Sequence, residues 1–444
     1  MSFLMALASI MAYLVAPPAG VFVVVCTIVF VAAKKGRTKL EKTLTLLVLT
    51  MPLYMLPVIP GLHHIASWTT ILTLALIGLL AANLRRFSPI MAILLLILVS
   101  FSVLTGMSTA EGIEGWYYLV TFLLLVVPIV LVYEARDWVR EQLDADSVNR
   151  LLTTLAGVQL ALAVGVLIQW QVHTRLGIII GEIGFFNVRV TYDLTISAYS
   201  VLSGLLAVGI VLAPTLWRRG RWKMAILLAA VSGFAIVINS SRTGLVVGVA
   251  VLGLSLLFPP RGVRRIGARL AIIPAAGLAW WLFDSYESSA RGSMATGLFD
   301  ENGRFETFDR AFRQLFANDM TAIIGLGYAD YKGVPPHNFI VETMASSGVV
   351  TAAIVVLLAA GMLIYLRGSE WQYPVWALLG SSMLFSGFYA VKGAMVIAVL
   401  MIAFRAAESA VNTEGPQAHR PAKVGKPGGS HLYVPLHTHG GRRP

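Results

Sequence analysis

Long apolar stretches follow one another along most of the chain, and short polar or basic stretches separate them. There are fourteen of these segments, and several are shorter than the roughly 20 residues that a helix needs to cross a hydrocarbon core of about 30 Å. The pattern predicts an all-α, polytopic integral membrane protein with 12–14 transmembrane helices, whose membrane domain covers residues 1–404. The segments are 2–16, 19–33, 43–60, 67–84, 88–105, 116–133, 150–170, 193–216, 224–239, 244–258, 270–283, 338–366, 373–389 and 393–404. Pro17 and Pro18 join the first two either as a hairpin or as one broken helix.

Composition agrees with a membrane protein. The chain has 57% hydrophobic and 13% charged residues, and its mean hydropathy is +0.78, which excludes a soluble multidomain protein. The single cysteine, Cys26, can form neither an internal disulfide nor a thiolate metal site. The net charge of +12 comes from clusters between apolar segments, so we attribute it to membrane topology and expect no nucleic-acid partner.

The basic residues are divided unequally between the two sides of the predicted membrane domain. Alternate loops and the tail hold 25 of the 34 Lys and Arg residues, and the positive-inside rule makes that side cytoplasmic. Topology does not explain the remaining nine, which make the outer side the more interesting one for function. These nine are Arg175, Arg189, Arg242, Arg291, Arg304, Arg310, Arg313, Lys332 and Lys392.

Two segments on the outer side are long enough to fold, residues 171–192 and residues 284–336. We therefore expect polar function on that side, with short helices in the larger loop. Residues 405–444 become rich in Pro, Gly, His and Arg, which predicts a disordered cytoplasmic tail.

The larger outer loop contains a stretch, Arg304 to Asn318, with a helical period of apolar residues. The pattern predicts an amphipathic helix that rests on the outer leaflet or caps a cavity. Arg310 and Arg313 point away from its apolar face and bind either lipid phosphates or substrate. Arg304 lies at the helix start, where the macrodipole disfavours a cation, so we expect it to have an anionic partner.

Polar residues also occur where an outward helix meets a returning helix. In the run Asn239-Ser240-Ser241-Arg242-Thr243-Gly244, a Ser or Asn can cap the returning helix, which makes an anion site beside Arg242. At Pro335-Pro336-His337-Asn338, the prolines suit a helix entry. A helix start disfavours the imidazolium, so we expect a neutral His337, which is either a satisfied interfacial contact or a base.

These residues carry a resemblance to a known family. His337-Asn338, Gly348 and Thr351 have the spacing of a pattern in bacterial O-antigen ligases, and the run Ser241 to Gly244 is similar to the arginine signature of the O-antigen ligase and polymerase superfamily. Gly303-Arg304 and the run Ile324-Gly325-Leu326-Gly327-Tyr328 also resemble family positions. The resemblance covers about residues 230–365.

The resemblance implies a glycosyltransferase at the periplasmic face of a Gram-negative inner membrane. Such an enzyme moves O-antigen from undecaprenyl pyrophosphate to lipid A-core in lipopolysaccharide biosynthesis, without a nucleotide sugar, metal or other cofactor. His337 would be the general base and Arg242 would stabilise the leaving pyrophosphate. The substrate-binding candidates are Arg189, Arg304, Asn338, Arg310, Arg313 and Glu342. Glu342 either orients an arginine or is a structural partner, since a carboxylate facing lipid is costly.

Other interpretations remain open at this stage. An O-antigen polymerase or a protein O-oligosaccharyltransferase shares the arginine and loop features but uses a different acceptor. A transporter would need intramembrane charges along a path, whereas here they cluster outside. No metal motif is present, and Glu111 with Glu114 only weakly indicates a glycosidase-like carboxylate pair. Lys392 either snorkels outward or helps to hold phosphate.

Overall fold

The structure is a computed structural model, and most of its described residues are helical. It describes residues 1–15, 17–54, 58, 66–108, 113–186, 189–194, 199–239, 241–260, 272–287, 304–327, 338–383 and 392–413. In this part of the chain, each of the fourteen apolar segments overlaps one helix, so the prediction of helical structure is confirmed.

The described part of the chain contains seventeen α-helices, one short 3-10 helix at Met51–Leu53 and one two-stranded hairpin. The first half contains α1 (Ser2–Val15), α2 (Pro17–Lys35), α3 (Lys39–Thr50), α4 (Trp68–Ala82), α5 (Pro89–Ser108), α6 (Ile113–Glu134), α7 (Arg136–Gln142), α8 (Ala145–Leu176), β1 (Glu182–Phe186) and β2 (Arg189–Leu194). The second half contains α9 (Tyr199–Arg218), α10 (Trp222–Ile238), α11 (Arg242–Leu257), α12 (Ile272–Glu287), α13 (Arg304–Leu315), α14 (Asp319–Ile324), α15 (Phe339–Leu366), α16 (Gln372–Ser382) and α17 (Lys392–Thr413).

Side chains at the N-termini determine where several of these helices begin. The Thr38 hydroxyl accepts a hydrogen bond from the backbone N–H of Glu41, and Asp144 accepts one from Ser147. Asn318 and Asn338 cap α14 and α15 in the same way. Each cap satisfies an N–H group that the helix itself leaves without a partner, which stabilises the helix by about 1 kcal/mol.

Helices α1 and α2 form a hairpin, which decides between the two interpretations of the Pro17-Pro18 step. Gly20 lies against the backbone of Tyr13, so the two helices approach each other closely just beyond the turn. At their other ends, the Lys35 ammonium donates a hydrogen bond to the Ser2 hydroxyl at 2.5 Å.

By length and composition, five helical stretches in the described residues can cross a membrane, or six if the bent pair α6–α7 counts as one span. The five are Pro18–Lys35, Pro89–Met107, Ala145–Leu176, Val201–Arg218 and Phe339–Leu366. Four shorter apolar helices accompany them: Ser2–Val15, Trp68–Ala82, Trp222–Ile238 and Arg242–Leu257. These helices are those of a helical membrane protein, which agrees with the predicted fold class at this level.

The helices run between two ends of one bundle, and the first end is rich in ion pairs. Arg219 donates hydrogen bonds to Glu370 at 2.6 Å, to Glu408 at 2.7 Å and to Asn149 at 2.8 Å. It thereby connects the end of α9 with α8, α16 and α17. We call this the Arg219 end; Arg150 with Glu41 also lies there, at 2.7 Å.

The opposite end, which we call the Arg242 end, brings together the starts of α4, α9, α11, α15 and α17. Gly393 at the start of α17 lies against Leu205 of α9 and against Met51, which follows α3. The start of α15 meets the end of α16, where the Asn338 amide donates to the Met383 carbonyl at 3.1 Å. The two ends of the bundle therefore carry different chemistry, with exposed and half-buried ion pairs at one and buried polar residues at the other.

Three predicted segments have different ends in the structure. The amphipathic helix predicted from Arg304 to Asn318 is present as α13, which ends at Leu315. The segment 171–192, predicted to be an outer segment long enough to fold, begins with the last turns of α8, which continues to Leu176, and goes on into a β-hairpin. The tail predicted from residue 405 begins later than expected, since α17 continues to Thr413; the rest of the tail lies outside the described residues.

Candidate functional site

The elbow between α10 and α11 places Arg242 at the centre of the Arg242 end. Ser241 caps α11 by accepting the Gly244 N–H at 3.5 Å, and its hydroxyl is 2.6 Å from that of Ser203 on α9. Arg242 is the first residue of the helix and is only 7% exposed. Because burying a guanidinium is costly unless its charge is stabilised, such a residue indicates a site rather than a surface.

A β-hairpin is attached to this elbow through one side chain. The amide of Asn239, which is fully buried, accepts the Tyr192 N–H at 2.7 Å and donates to the Tyr192 carbonyl at 3.1 Å. The side chain therefore pairs with β2 as a neighbouring strand would. Strand β2 and the elbow that carries Arg242 consequently keep a constant relative position.

A β-bulge in the hairpin changes the direction of the Asp193 side chain. Glu182 pairs with Leu194 and Ile183 pairs with Tyr192, so Asp193 is the extra residue between them. Bulges bend a strand and redirect the side chain of the extra residue. Asp193 is 7% exposed, and the Thr191 hydroxyl donates to its Oδ2 at 3.4 Å. A second buried charged residue therefore lies beside the strand that Asn239 holds.

Gln169 of α8 holds the end of this hairpin. Its amide accepts the Leu194 N–H at 3.1 Å and donates to the Ile180 carbonyl at 2.6 Å. Leu194 has a φ of 57°, a left-handed conformation that is rare for a residue other than glycine. The bulge is thus kept in place from both sides, by Gln169 and by Asn239.

Tyr192 also faces His173 near the C-terminus of α8. The His173 Nδ1 atom is 3.2 Å from the Tyr192 hydroxyl, and the two rings meet edge to face with their centroids 5.8 Å apart. Burial raises the pKa of the Tyr192 hydroxyl above its usual value, so it stays protonated and can donate to the imidazole.

The start of α15 supplies a further carboxylate. Asn338 caps the helix by accepting the N–H groups of Ile340 at 3.0 Å and Val341 at 3.1 Å. Glu342 follows in the first turn and is 2% exposed. A carboxylate at this position is favoured by the helix macrodipole, which gives Glu342 a structural role whatever else it does.

A break inside α15 anchors the segment that follows α14. Gly348 has a φ of 82° in the middle of the helix, and a Cβ there would overlap the carbonyl of Ile323. The N–H groups of Leu326 and Gly327 donate to the carbonyls of Ala345 at 2.7 Å and Ser346 at 3.1 Å. Gly348 and the glycines at 325 and 327, which the sequence resemblance singles out separately, therefore belong to one packing arrangement.

Lys392 does not snorkel outward, which excludes the first of the two alternatives that the sequence left open. It is 3% exposed, and its ammonium donates to the hydroxyls of Ser67 at 3.1 Å and Thr70 at 2.6 Å. The two hydroxyls lie in the first turn of α4, and they draw the lysine inward because they can satisfy its donors there. Another cation is therefore buried at the Arg242 end.

Buried charge of both signs thus collects at one end of the bundle. Arg242 and Lys392 can bind an anion, and Arg242 does so beside the first-turn N–H groups of α11. Asp193 and Glu342 can accept a proton or orient a donor. Within the described residues, no group of three or more His, Cys, Asp or Glu side chains is arranged to hold a metal ion.

The structure describes the side chains of some predicted site residues and not of others. The structure places Arg242, Asn338 and Glu342 at the Arg242 end. His337 lies outside the described residues. Arg189 begins β2 and Arg304 begins α13, but their side chains lie outside the described part.

The two arginines of the amphipathic helix are not buried with the others. Arg310 is exposed on α13. Arg313 is 79% exposed and pairs with Asp309 one turn earlier at 2.7 Å. Both side chains are at the surface of the described structure, as expected for positions away from the apolar face of the helix.

Sequence reasoning missed the residues that hold the site together. The double hydrogen bond of Asn239, the Gln169 contact with the hairpin and the His173–Tyr192 pair all join residues far apart in the chain. A polar residue inside an apolar helix, such as Gln169, was the available signal, because a buried amide needs partners. The identity of those partners has no local pattern.

Comparison with known proteins adds no family assignment. No protein-family model matches the chain, and no curated protein matches it either.

Proposed function

We propose that the protein is a membrane glycosyltransferase of the O-antigen ligase type. It would transfer O-antigen from undecaprenyl pyrophosphate to lipid A-core at the periplasmic face of a bacterial inner membrane. The observation that carries the proposal is Arg242, a buried arginine in the first turn of α11 at the end of the bundle where Asn338 and Glu342 also lie. An anionic leaving group is the chemistry that such a position serves best.

In this proposal the Arg219 end is cytoplasmic and the Arg242 end is periplasmic. The positive-inside rule supports this orientation, because described basic turns such as those between α2 and α3 and between α9 and α10 lie at the Arg219 end. The full chain would then have 12–14 spans, and the loop 284–336 would lie in the periplasm. Helix α13 would rest at the outer surface, with Arg310 and Arg313 toward phosphate groups of lipid or substrate.

The reaction is a single inverting displacement. The acceptor hydroxyl oxygen forms a bond to the anomeric carbon of the donor, and the bond between that carbon and the phosphate oxygen breaks. The hydroxyl proton passes to His337, and undecaprenyl pyrophosphate leaves with an additional negative charge. Arg242 and the first-turn N–H groups of α11 stabilise that charge, so the proposed mechanism uses no metal ion and no cofactor.

Other residues have supporting roles in the proposal. Arg189 and Arg304 bind the pyrophosphate, and Asn338 keeps the start of α15 in place for His337. Glu342 orients a basic group from the first turn of that helix. Lys392 adds positive charge at the same end.

The runner-up is an O-antigen polymerase or a protein O-oligosaccharyltransferase, which differs only in its acceptor. A transfer assay therefore tests the proposal directly. Purified protein is supplied with undecaprenyl-pyrophosphate-linked glycan and with lipid A-core, a second lipid-linked glycan or a peptide in separate reactions. We expect product only with lipid A-core; product only with the second glycan or the peptide would assign the runner-up.

A matched pair of variants tests the part of Arg242. Arg242→Gln should abolish transfer, whereas Arg367→Gln removes the same charge from an exposed position at the Arg219 end and should retain most activity. Equal activity of the two variants would contradict the proposal.

A further inference from the structure

A cleft at the Arg219 end lies between the α4–α5 turn and the corner where α6 meets α7. Its volume is about 630 Å³, and its walls include Arg86, Arg136 and Trp138. The cleft exists because α7 leaves the direction of α6 at an angle of 76° just after Glu134. It is well separated from the Arg242 end, and the proposed transferase reaction makes no use of it.

Two arginines in this cleft are not neutralised by carboxylates. Within the described residues, Arg86 has no hydrogen-bond or ion-pair partner. The Arg136 guanidinium donates to the Tyr133 carbonyl at 3.1 Å and lies 4.8 Å from the centre of that ring. Both of these partners are uncharged, so the two guanidinium groups keep the capacity to bind an anion.

The cleft also contains two carboxylates, Glu134 and Asp137, beside its three arginines. Glu134 accepts the backbone N–H of Ser88 at 2.8 Å, just before α5 begins. Arg85, the third arginine, pairs with Glu141 at 2.8 Å on the outer rim. Asp137 is exposed in the first turn of α7. The start of α5, a helix of 20 residues, adds the positive end of its macrodipole to the same cleft.

An apolar surface leads directly away from the arginines. On α5, Ile90 is 70% exposed, Ile93 is 57% exposed and Leu96 is 67% exposed. Their spacing of three residues puts them on one side of a helix that is long and apolar enough to cross a membrane. Trp138 at the cleft wall is the type of residue that concentrates at the membrane interface.

We propose that this cleft binds an anionic phospholipid of the leaflet at the Arg219 end. The phosphodiester lies between Arg86 and Arg136, and an acyl chain follows the exposed face of α5. A free phosphate ion shares the headgroup chemistry but makes no use of the apolar face. A basic cleft beside an apolar helix surface suits a phospholipid. Each arginine attracts the anionic headgroup, and the acyl chains bury apolar surface against the helix.

Lipid binding is tested with the full-length protein in nanodiscs of phosphatidylcholine, with or without phosphatidylglycerol. Thermal unfolding reports stabilisation, and native mass spectrometry reports retained lipid. Phosphatidylglycerol should raise the Tm and remain bound, whereas inorganic phosphate added to phosphatidylcholine nanodiscs should do neither. The proposal is overturned if phosphatidylglycerol has no effect or if inorganic phosphate reproduces it.

Variants with matched charge changes distinguish the cleft from general attraction to a basic surface. Arg86→Gln with Arg136→Gln should weaken phosphatidylglycerol binding by about twenty-five-fold, since each arginine near an anionic lipid contributes about five-fold. The control is Lys223→Gln with Arg367→Gln, which removes two exposed charges from the same end outside the cleft. Equal weakening in both double variants would overturn the proposal.

Arg86→Gln alone keeps the test decisive if the double variant does not fold. Arg86 is exposed and has no hydrogen-bond or ion-pair partner in the described part of the chain. The Arg86→Gln variant should therefore unfold like the wild-type protein in phosphatidylcholine, and its affinity for phosphatidylglycerol should fall about five-fold. An unchanged affinity for phosphatidylglycerol in Arg86→Gln would overturn the proposal.

Discussion

The side-chain amide of Asn239 pairs with both backbone groups of Tyr192, at 2.7 Å to the N–H and 3.1 Å to the carbonyl. Asn239 stands three residues before Arg242, and Tyr192 is adjacent to Asp193. The contact therefore joins the two parts of the chain that carry a buried guanidinium and a buried carboxylate. A single amide replaces what a third strand would otherwise supply.

The first prediction concerns this contact. Asn239→Ala leaves two buried backbone groups of Tyr192 without partners, which should lower the free energy of unfolding by about 2–4 kcal/mol. Asn318→Ala is the matched control, because it removes a helix cap on an exposed short helix and should cost only about 1 kcal/mol. Thermal unfolding in detergent compares the two. Equal losses would show that the Asn239 contact contributes no more than an ordinary cap.

The second prediction uses two glycines of α15. Gly348→Ala places a Cβ on a residue with a φ of 82° and against the Ile323 carbonyl, so it should destabilise the protein by roughly 3 kcal/mol or more. Gly361 has open space around it in the same helix, so Gly361→Ala should stabilise the protein by about 0.5–1 kcal/mol. Unfolding midpoints of both variants test this. A tolerated alanine at 348 would mean that α14 does not pack into the break.

The third prediction separates two functions within the proposed mechanism. His337→Ala removes the base and should reduce the rate of transfer by about 10²–10⁴-fold while the donor still binds. Arg242→Ala should also weaken donor binding, and Arg242→Lys should recover binding better than turnover because it lacks the planar fork. Donor affinity and single-turnover transfer are measured for all three variants. Near-normal transfer by His337→Ala would make Asp193 or Glu342 the next candidate base.

The fourth prediction is that chelation leaves activity intact. The proposed transition state is stabilised by arginine and helix N–H groups, so EDTA should not change the transfer rate. The assay compares untreated enzyme, EDTA-treated enzyme and enzyme with a divalent ion restored. Activity that disappears with EDTA and returns with one such ion would refute the arginine-based mechanism.

The fifth prediction is topological. Cys26 is exposed, so it is first replaced by serine, and single cysteines are then introduced at Lys332 or Lys223. An impermeant reagent should label Lys332→Cys from the periplasm, because the proposed orientation puts the loop 284–336 on that side. It should label Lys223→Cys only from the cytoplasm in the proposed orientation, because that residue lies in the first turn of α10 at the Arg219 end. Labelling of Lys332→Cys from the cytoplasm alone would remove the orientation and the proposed site together.

Much of the helical architecture could be predicted from the sequence, because its signals are local. Runs of apolar residues mark the helices, since a backbone in an apolar environment must satisfy its own hydrogen bonds. Caps such as Ser241 and Asn338 act within the first turn of their own helix, so they too are visible in the chain. The position of Arg242 at a helix start follows from the same local rule.

Only the tertiary structure decided which of these elements meet. Lys392 is buried because Ser67 and Thr70 lie opposite it, and those residues are more than three hundred positions away. The bulge at Asp193 depends on the pairing of two strands, and no local pattern in this mostly apolar sequence predicts that pairing. The helix can break at Gly348 because the N–H groups of Leu326 and Gly327 donate hydrogen bonds to the carbonyls that the break leaves without helical partners.

One physical reason separates the features that the sequence predicts from those that only the fold decides. Helix formation depends on neighbours within about four residues, whereas a buried polar group is satisfied by whatever the fold brings beside it. The sequence alone therefore determined where the helices lie and which of them begin with polar caps. The tertiary structure decided that Asn239 holds the hairpin, that Asp193 and Arg242 lie at the same end of the bundle, and that Arg313 remains outside it.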